Sequence, residues 1–175
     1  MLQIHGRRYD TGEAICITTE GDRIKSVEPA AAPGEPGNLP LIAPGLFDLQ
    51  INGHGGTWFS DVSLTPEKVI RTLEPHYKFG ITRLLPTLVT ASHEAFISGF
   101  SAIRQACEQE RWVDQMVAGC HQEGPYISRE DGPRGAHPLQ HVRAADWDEF
   151  CHYQDASGGR IRCESVPCEL IGRTS

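Results

Sequence analysis

Leu46-Phe47-Asp48-Leu49-Gln50-Ile51 runs directly into Asn52-Gly53-His54-Gly55-Gly56, and this stretch decides how the rest of the chain is read. Its first six residues form an apolar-rich run of strand length, closed by a glycine cluster that no strand or helix interior tolerates well. A helix start follows. Thr65 suits an N-cap, Pro66 the first helical position and Glu67 the positive end of the helix dipole. Val69, Ile70, Leu73 and Tyr77 then recur at helical spacing, and Gly80 marks the stop. The pattern strand, glycine loop, helix repeats downstream. Ile81–Val89 reads as a strand with Pro86 near its end, and Ser92 caps a helix carrying Phe96, Ile97, Phe100, Ile103 and Cys107. Residues 116–121 read as a short apolar strand, 122–140 as a long polar loop and 144–153 as a third helix ended by Gly158-Gly159. Arg160-Ile161-Arg162-Cys163 opens a fourth strand.

Strands alternating with helices every roughly 35 to 45 residues imply βαβ units and a parallel sheet. A doubly wound sheet and a (β/α)8 barrel both satisfy that pattern. A full barrel takes about 250 residues, and the 175 residues here reach only a fourth strand. Upstream, residues 1–43 differ. Leu2-Gln3-Ile4, Ala14-Ile15-Cys16-Ile17 and Arg23-Ile24-Lys25-Ser26-Val27 read as short strands, and residues 29–40 are too rich in proline and glycine for a helix or a central strand. The expectation is a small β-rich segment over 1–43, followed by α/β units over 44–175.

Composition narrows the function classes. Hydrophobic residues make up 39% and charged residues 22%, as in ordinary globular chains. A net charge of −7 with scattered basic residues argues against a nucleic-acid footprint. No apolar run approaches the length of a membrane span, and Met1 to Tyr9 lacks the charged and apolar regions of a secretory leader. The six cysteines (Cys16, Cys107, Cys120, Cys151, Cys163, Cys168) sit mostly in apolar periodic segments without a Cys-x-x-Cys pair. Reduced thiols of a cytoplasmic protein are therefore expected.

Polar groups gather where the strands end, which is where α/β barrels build active sites. Strand alternation puts Asp48, Gln50 and Asn52 on one face; these are either functional groups or a hydrogen-bonded strand terminus. The same alternation places His121 and Glu123 on one side at the end of the third strand. Gly124-Pro125 makes a rigid turn after them, so a metal-binding or general-base role is favoured over a surface carboxylate. His137, between Gly135-Ala136 and Pro138 in the long loop, fits a ligand contact or a solvated surface histidine equally well.

Taken together, three segments resemble the N-acetylglucosamine-6-phosphate deacetylase family of the amidohydrolase superfamily. They are residues 43–56, the stretch 80–88, and His121-Gln122-Glu123-Gly124-Pro125-Tyr126-Ile127 with Arg134-Gly135-Ala136-His137-Pro138. The resemblance implies a partial (β/α)8 TIM-type barrel of about four β/α units behind the β-rich N-terminal segment. It implies one divalent metal ion, zinc or else iron, manganese or cobalt, with Glu123 as a ligand and Ala136 and His137 lining the sugar site. Many amidohydrolases carry His-x-His at the end of the first strand for a second metal. Here Gln50-x-Asn52 stands there, and amides are poor replacements for imidazole, so a single-metal site is expected. Gln50, Asn52 and His121 would orient the metal-bound water or the substrate through hydrogen bonds.

The implied reaction is metal-assisted hydrolysis of the N-acetyl group of N-acetylglucosamine 6-phosphate. The partner is a phosphorylated N-acetyl amino sugar rather than nucleic acid or membrane, and the whole enzyme is expected to be a cytoplasmic homodimer. In the family two histidine ligands and a catalytic aspartate come from later strands, so no catalytic residue is expected in this chain. The sequence after Arg162, with Glu164 and Pro167, looks unlike a buried central strand. That suggests an incomplete version of the enzyme, and leaves open a non-catalytic fragment, an association module, or an amidohydrolase for another N-acyl or cyclic amide.

Overall fold

The computed structural model describes residues 1–30 and 38–166. The chain divides into two compact units, Met1–Pro44 and Gly45–Ser175. The first is a four-stranded sheet of β1 (Leu2–Arg8), β2 (Ala14–Glu20), β3 (Arg23–Pro29) and β4 (Leu41–Ile42), in the order β3-β2-β1-β4. β1, β2 and β3 pair antiparallel, and β4 adds parallel to β1. The β2–β3 connection turns at Gly21, whose φ of 61° lies where a side chain is strained. The strands outrun the short apolar runs in the sequence, because backbone pairing carries them through polar residues such as Thr18 and Thr19.

The second unit holds a parallel sheet of β5 (Leu46–Ile51), β8 (Ile81–Val89), β9 (Cys120–Glu123) and β10 (Ile161–Ser165). Neighbours in this sheet are also neighbours in chain order. Each crossover carries helix: α1 (Pro66–Leu73), then α2 (His93–Gln109) with α3 (Arg111–Met116), then α4 (Trp147–Ala156). Side-chain caps begin three of them. Thr65, Ser92 and Asp146 accept from the backbone N–H of Lys68, Ala95 and Glu149 at 3.3, 3.3 and 3.0 Å. The core lies between sheet and helices. Leu84 and Leu88 of β8 are fully buried with Val69 and Leu73 of α1 and Phe96, Phe100 and Ile103 of α2. Tyr153 of α4 closes the layer, its ring centroid 4.9 Å from Phe96 and 6.2 Å from Phe100.

Several elements depart from the reading of the sequence. The first helix does not run to Gly80: α1 ends at Leu73 and a 3-10 turn covers Glu74–Phe79. Pro75 lacks an N–H, and its ring would clash with the Arg71 carbonyl of a continued α-helix. Residues 116–121 are not one strand; α3 occupies Arg111–Met116 and β9 starts at Cys120, with Val117 bridging to Leu84 before it. The third helix begins at Trp147 rather than 144, where the Asp146 cap is satisfied. The glycine cluster after β5 is not an open loop but a hairpin of β6 (Gly53–His54) and β7 (Thr57–Trp58). Cys163, Glu164 and Ser165 continue β10 in spite of their polarity, because they pair in parallel with His121, Gln122 and Glu123 of β9, and Gln122 also donates to the Glu164 carboxylate at 3.2 Å. Pro167 and Cys168 lie outside the described residues. No helix among those described is long and apolar enough to cross a membrane, and Cys16, Cys107, Cys120, Cys151 and Cys163 are free thiols.

Candidate functional site

At the C-terminal ends of β5, β8 and β9 the second unit forms an open cavity of about 590 Å³. Its walls include Asn52, Trp58, Glu123, Arg134, Ala136 and His137. Glu123 ends β9 with its side chain 23% exposed, and two groups converge on its carboxylate. Gln50 Nε2, from β5, donates to Glu123 Oε2 at 2.8 Å, and His137 Nε2 stands 3.7 Å from Oε1. The sequence separation of Gln50 and Glu123 is 73 residues, and parallel pairing of β5, β8 and β9 is what brings them together.

His137 is oriented from behind. Thr90 Oγ1 lies 2.9 Å from His137 Nδ1 and 3.4 Å from the Glu123 carbonyl. An Nε2–H tautomer, accepting from the Thr90 hydroxyl at Nδ1, turns an N–H rather than a lone pair toward the carboxylate. Gly124, at φ 86°, packs so closely on Thr90 that a Cβ there would collide with the hydroxyl. Asn52 adds a buried side-chain oxygen with no hydrogen-bond partner among the described residues. A buried acceptor left unpaired is unfavourable by about 1–3 kcal/mol.

His121 is placed differently. Its ring is buried in the sheet, where the Thr87 hydroxyl donates to the Leu85 carbonyl and faces Nδ1 at 3.3 Å, while Ser165 Oγ lies 3.0 Å from Nε2. Both ring nitrogens are thus engaged, and burial pushes the imidazole pKa down, opposed by the nearby Glu123 charge. His121 adjoins the cavity only through Ser165, a lining residue. Asp48 turns back on its own strand, its carboxylate accepting from Gln50 N–H at 3.0 Å.

The loop carrying Ala136 and His137 is fastened to α4. Arg143 holds Glu149 through both carboxylate oxygens at 2.9 Å, Tyr126 donates to the same carboxylate at 2.9 Å, and Arg143 reaches Tyr153 Oη at 2.7 Å. Burial alone would raise the Glu149 carboxyl. The hydrogen bonds from Arg143, Tyr126 and Tyr153 outweigh it and hold the group at about 2. Among the described residues no three His, Cys, Asp or Glu side chains converge to hold a metal ion. Glu123 and His137 supply two donors, fewer than the three protein ligands of a catalytic zinc centre, so these residues do not complete such a site. Thr90, Trp58 and Ser165 were not singled out in the sequence, and Arg134 stood in the quoted loop motif without a role of its own. Of the first three only Trp58, just past the glycine cluster, carried a local signal.

No protein-family model matches the chain. It is 37% identical over 136 residues to N-acetylglucosamine-6-phosphate deacetylase of Bos taurus, covering 74% of this chain and 32% of that protein. It is 35% identical over 137 residues to N-acetylgalactosamine-6-phosphate deacetylase of Shewanella sp. (strain ANA-3), covering 76% and 33%. The crystal structure of N-acetyl-D-glucosamine-6-phosphate deacetylase from Mycobacterium smegmatis shares the fold with a TM-score of 0.75 at 26% identity, over 95% of this chain and 43% of that one. The chain therefore spans about a third of the length of the curated relatives it matches. In sequence and in fold together, the chain is similar to a part of the N-acetylglucosamine-6-phosphate deacetylases.

Proposed function

We propose that the cavity is the acyl-sugar side of a metal-dependent deacetylase site, that its substrate is a phosphorylated N-acetyl hexosamine, and that the parallel sheet is the first part of a β/α barrel. The observation that carries this reading is the convergence of Glu123, Gln50 and His137 at the ends of adjacent parallel strands, beside the unpaired oxygen of Asn52. Glu123 has the charge to touch a divalent ion. Gln50 holds that carboxylate in place. His137 can hydrogen-bond a sugar hydroxyl while Thr90 fixes its ring. Ala136, without a polar group, leaves room beside the imidazole for the ligand.

A second reading, an association module without turnover, is favoured by the two-donor count at Glu123. The experiment separates them. Purified chain is loaded with zinc, manganese or cobalt, and both binding of N-acetylglucosamine 6-phosphate and release of acetate are measured. Saturable sugar binding is expected, weakened at least several-fold in Glu123→Gln and His137→Ala, with acetate release far below an ordinary enzyme rate because the ligand set is incomplete. Sugar binding indifferent to both substitutions would remove the deacetylase assignment of this cavity.

A further inference from the structure

Trp58 is the large aromatic side chain of the cavity wall, and it is 54% exposed. Its exposure does not come from a slack loop. The residue closes the β6–β7 hairpin in register with Gly53, and Gly53 lies so close to the Thr57 carbonyl that a Cβ would collide with it. Immediately after, Phe59 is fully buried and its N–H donates to the Asn52 carbonyl at 3.0 Å. Ser60 Oγ then accepts from Val89 N–H at 2.8 Å, tying the hairpin to β8. A rigid mount thus holds an indole out beside groups that offer hydrogen bonds. Leaving so large an apolar surface in water forfeits a favourable burial, which makes a ligand-facing role the economical explanation.

We propose that Trp58 is the platform on which the pyranose ring of the sugar lies, and that it sets a preference for a cyclic hexosamine over an acyclic N-acetyl amide. The inference rests on the deacetylase reading of the cavity. A pyranose presents axial C–H bonds on one face and hydroxyls around its rim. The electron-rich face of the indole attracts those C–H groups, as it attracts the positive edge of another ring. Asn52, Glu123 and His137 meet the rim and the acetamido group. An acyclic amide has the same acetamido group and no ring face, so it gains nothing from the indole.

The test uses the full chain and three probes: N-acetylglucosamine 6-phosphate, N-acetylethanolamine and inorganic phosphate. Binding is read by calorimetry and by tryptophan emission in wild type, Trp58→Leu and Trp58→Phe. Expected are a roughly tenfold loss of sugar affinity in Trp58→Leu, recovery to within about threefold in Trp58→Phe, and no change for the acyclic amide in either variant. Trp58→Phe should also abolish the sugar-induced change in emission while retaining calorimetric binding, and phosphate alone should leave emission unchanged in wild type. The platform is overturned if Trp58→Leu binds sugar like wild type, if both probes weaken equally, if phosphate reproduces the response, or if folded wild type binds no sugar. Sugar binding that depends on Trp58 but is indifferent to Glu123→Gln and His137→Ala would sink the deacetylase reading of the cavity and leave the platform standing. Sugar binding weakened in those two variants and undiminished in Trp58→Leu would do the reverse.

Discussion

Glu123 and Glu130 show how position separates chemically identical side chains. Glu123 ends a buried strand with Gln50 and His137 on its carboxylate, whereas Glu130 sits exposed in the loop. Glu123→Gln keeps the size and loses the anionic donor, so in a full-length context that supplies the remaining ligands, metal uptake measured by elemental analysis should fall well below wild type while Glu130→Gln changes nothing. Equal uptake in wild type and Glu123→Gln would end the ligand assignment. His121 cannot inherit it while hydroxyls occupy both its ring nitrogens. Thr90 acts one step back. Thr90→Val removes the group that orients His137 and leaves Nδ1 unpaired, which should weaken sugar binding by about 1 kcal/mol with little change in melting temperature. Of these residues the sequence offered Glu123, His137 and Gln50, because each stands in a patterned segment. Thr90 was silent, since a threonine after a strand signals nothing until its neighbours across 33 and 47 residues are known.

At the scale of elements, the loop that carries His137 depends on α4. The Glu149 carboxylate, held at about 2 against an ordinary value of 4.5, links that loop to acid stability. A depressed folded pKa contributes stability that is fully present above pH 4.5 and disappears as pH falls toward 2. Acid titration followed by circular dichroism should therefore show wild type losing stability across that window. Glu149→Gln should start less stable at pH 7 and lose less between pH 4.5 and 2. Identical acid profiles would show the network contributes nothing. In the helical layer, Phe100→Ala should destabilise by about 3–5 kcal/mol, read by thermal melting, because the fully buried ring packs on Phe96 and Tyr153. The helices were legible from caps and spacing. The break at Pro75 and the late start of β9 were misjudged, since an apolar run such as 116–120 does not show by periodicity whether it is helix or strand.

Across the whole molecule, β5 and β10 each pair on one side only among the described strands. On β5, Leu46, Phe47 and Leu49 are all more than half exposed. Unpaired edges and exposed apolar side chains favour association. The chain should therefore bind a hydrophobic dye and self-associate with rising concentration, measured by light scattering. A monomer that melts cooperatively without dye binding would contradict that expectation.

Alternation of strand and helix, the capping residues and the glycine stops were properties of local chain chemistry, and they sufficed for an α/β architecture, for its parallel sheet and for Glu123 at a strand end. They operate over a few residues, so no partner is needed to read them. The order of the strands, the 2.8 Å contact of Gln50 with Glu123, the withdrawal of His121 into the sheet and the outward mounting of Trp58 were decided by packing. Each joins segments tens of residues apart or depends on which face of a strand is covered, and those distances exist only once the sheet has formed.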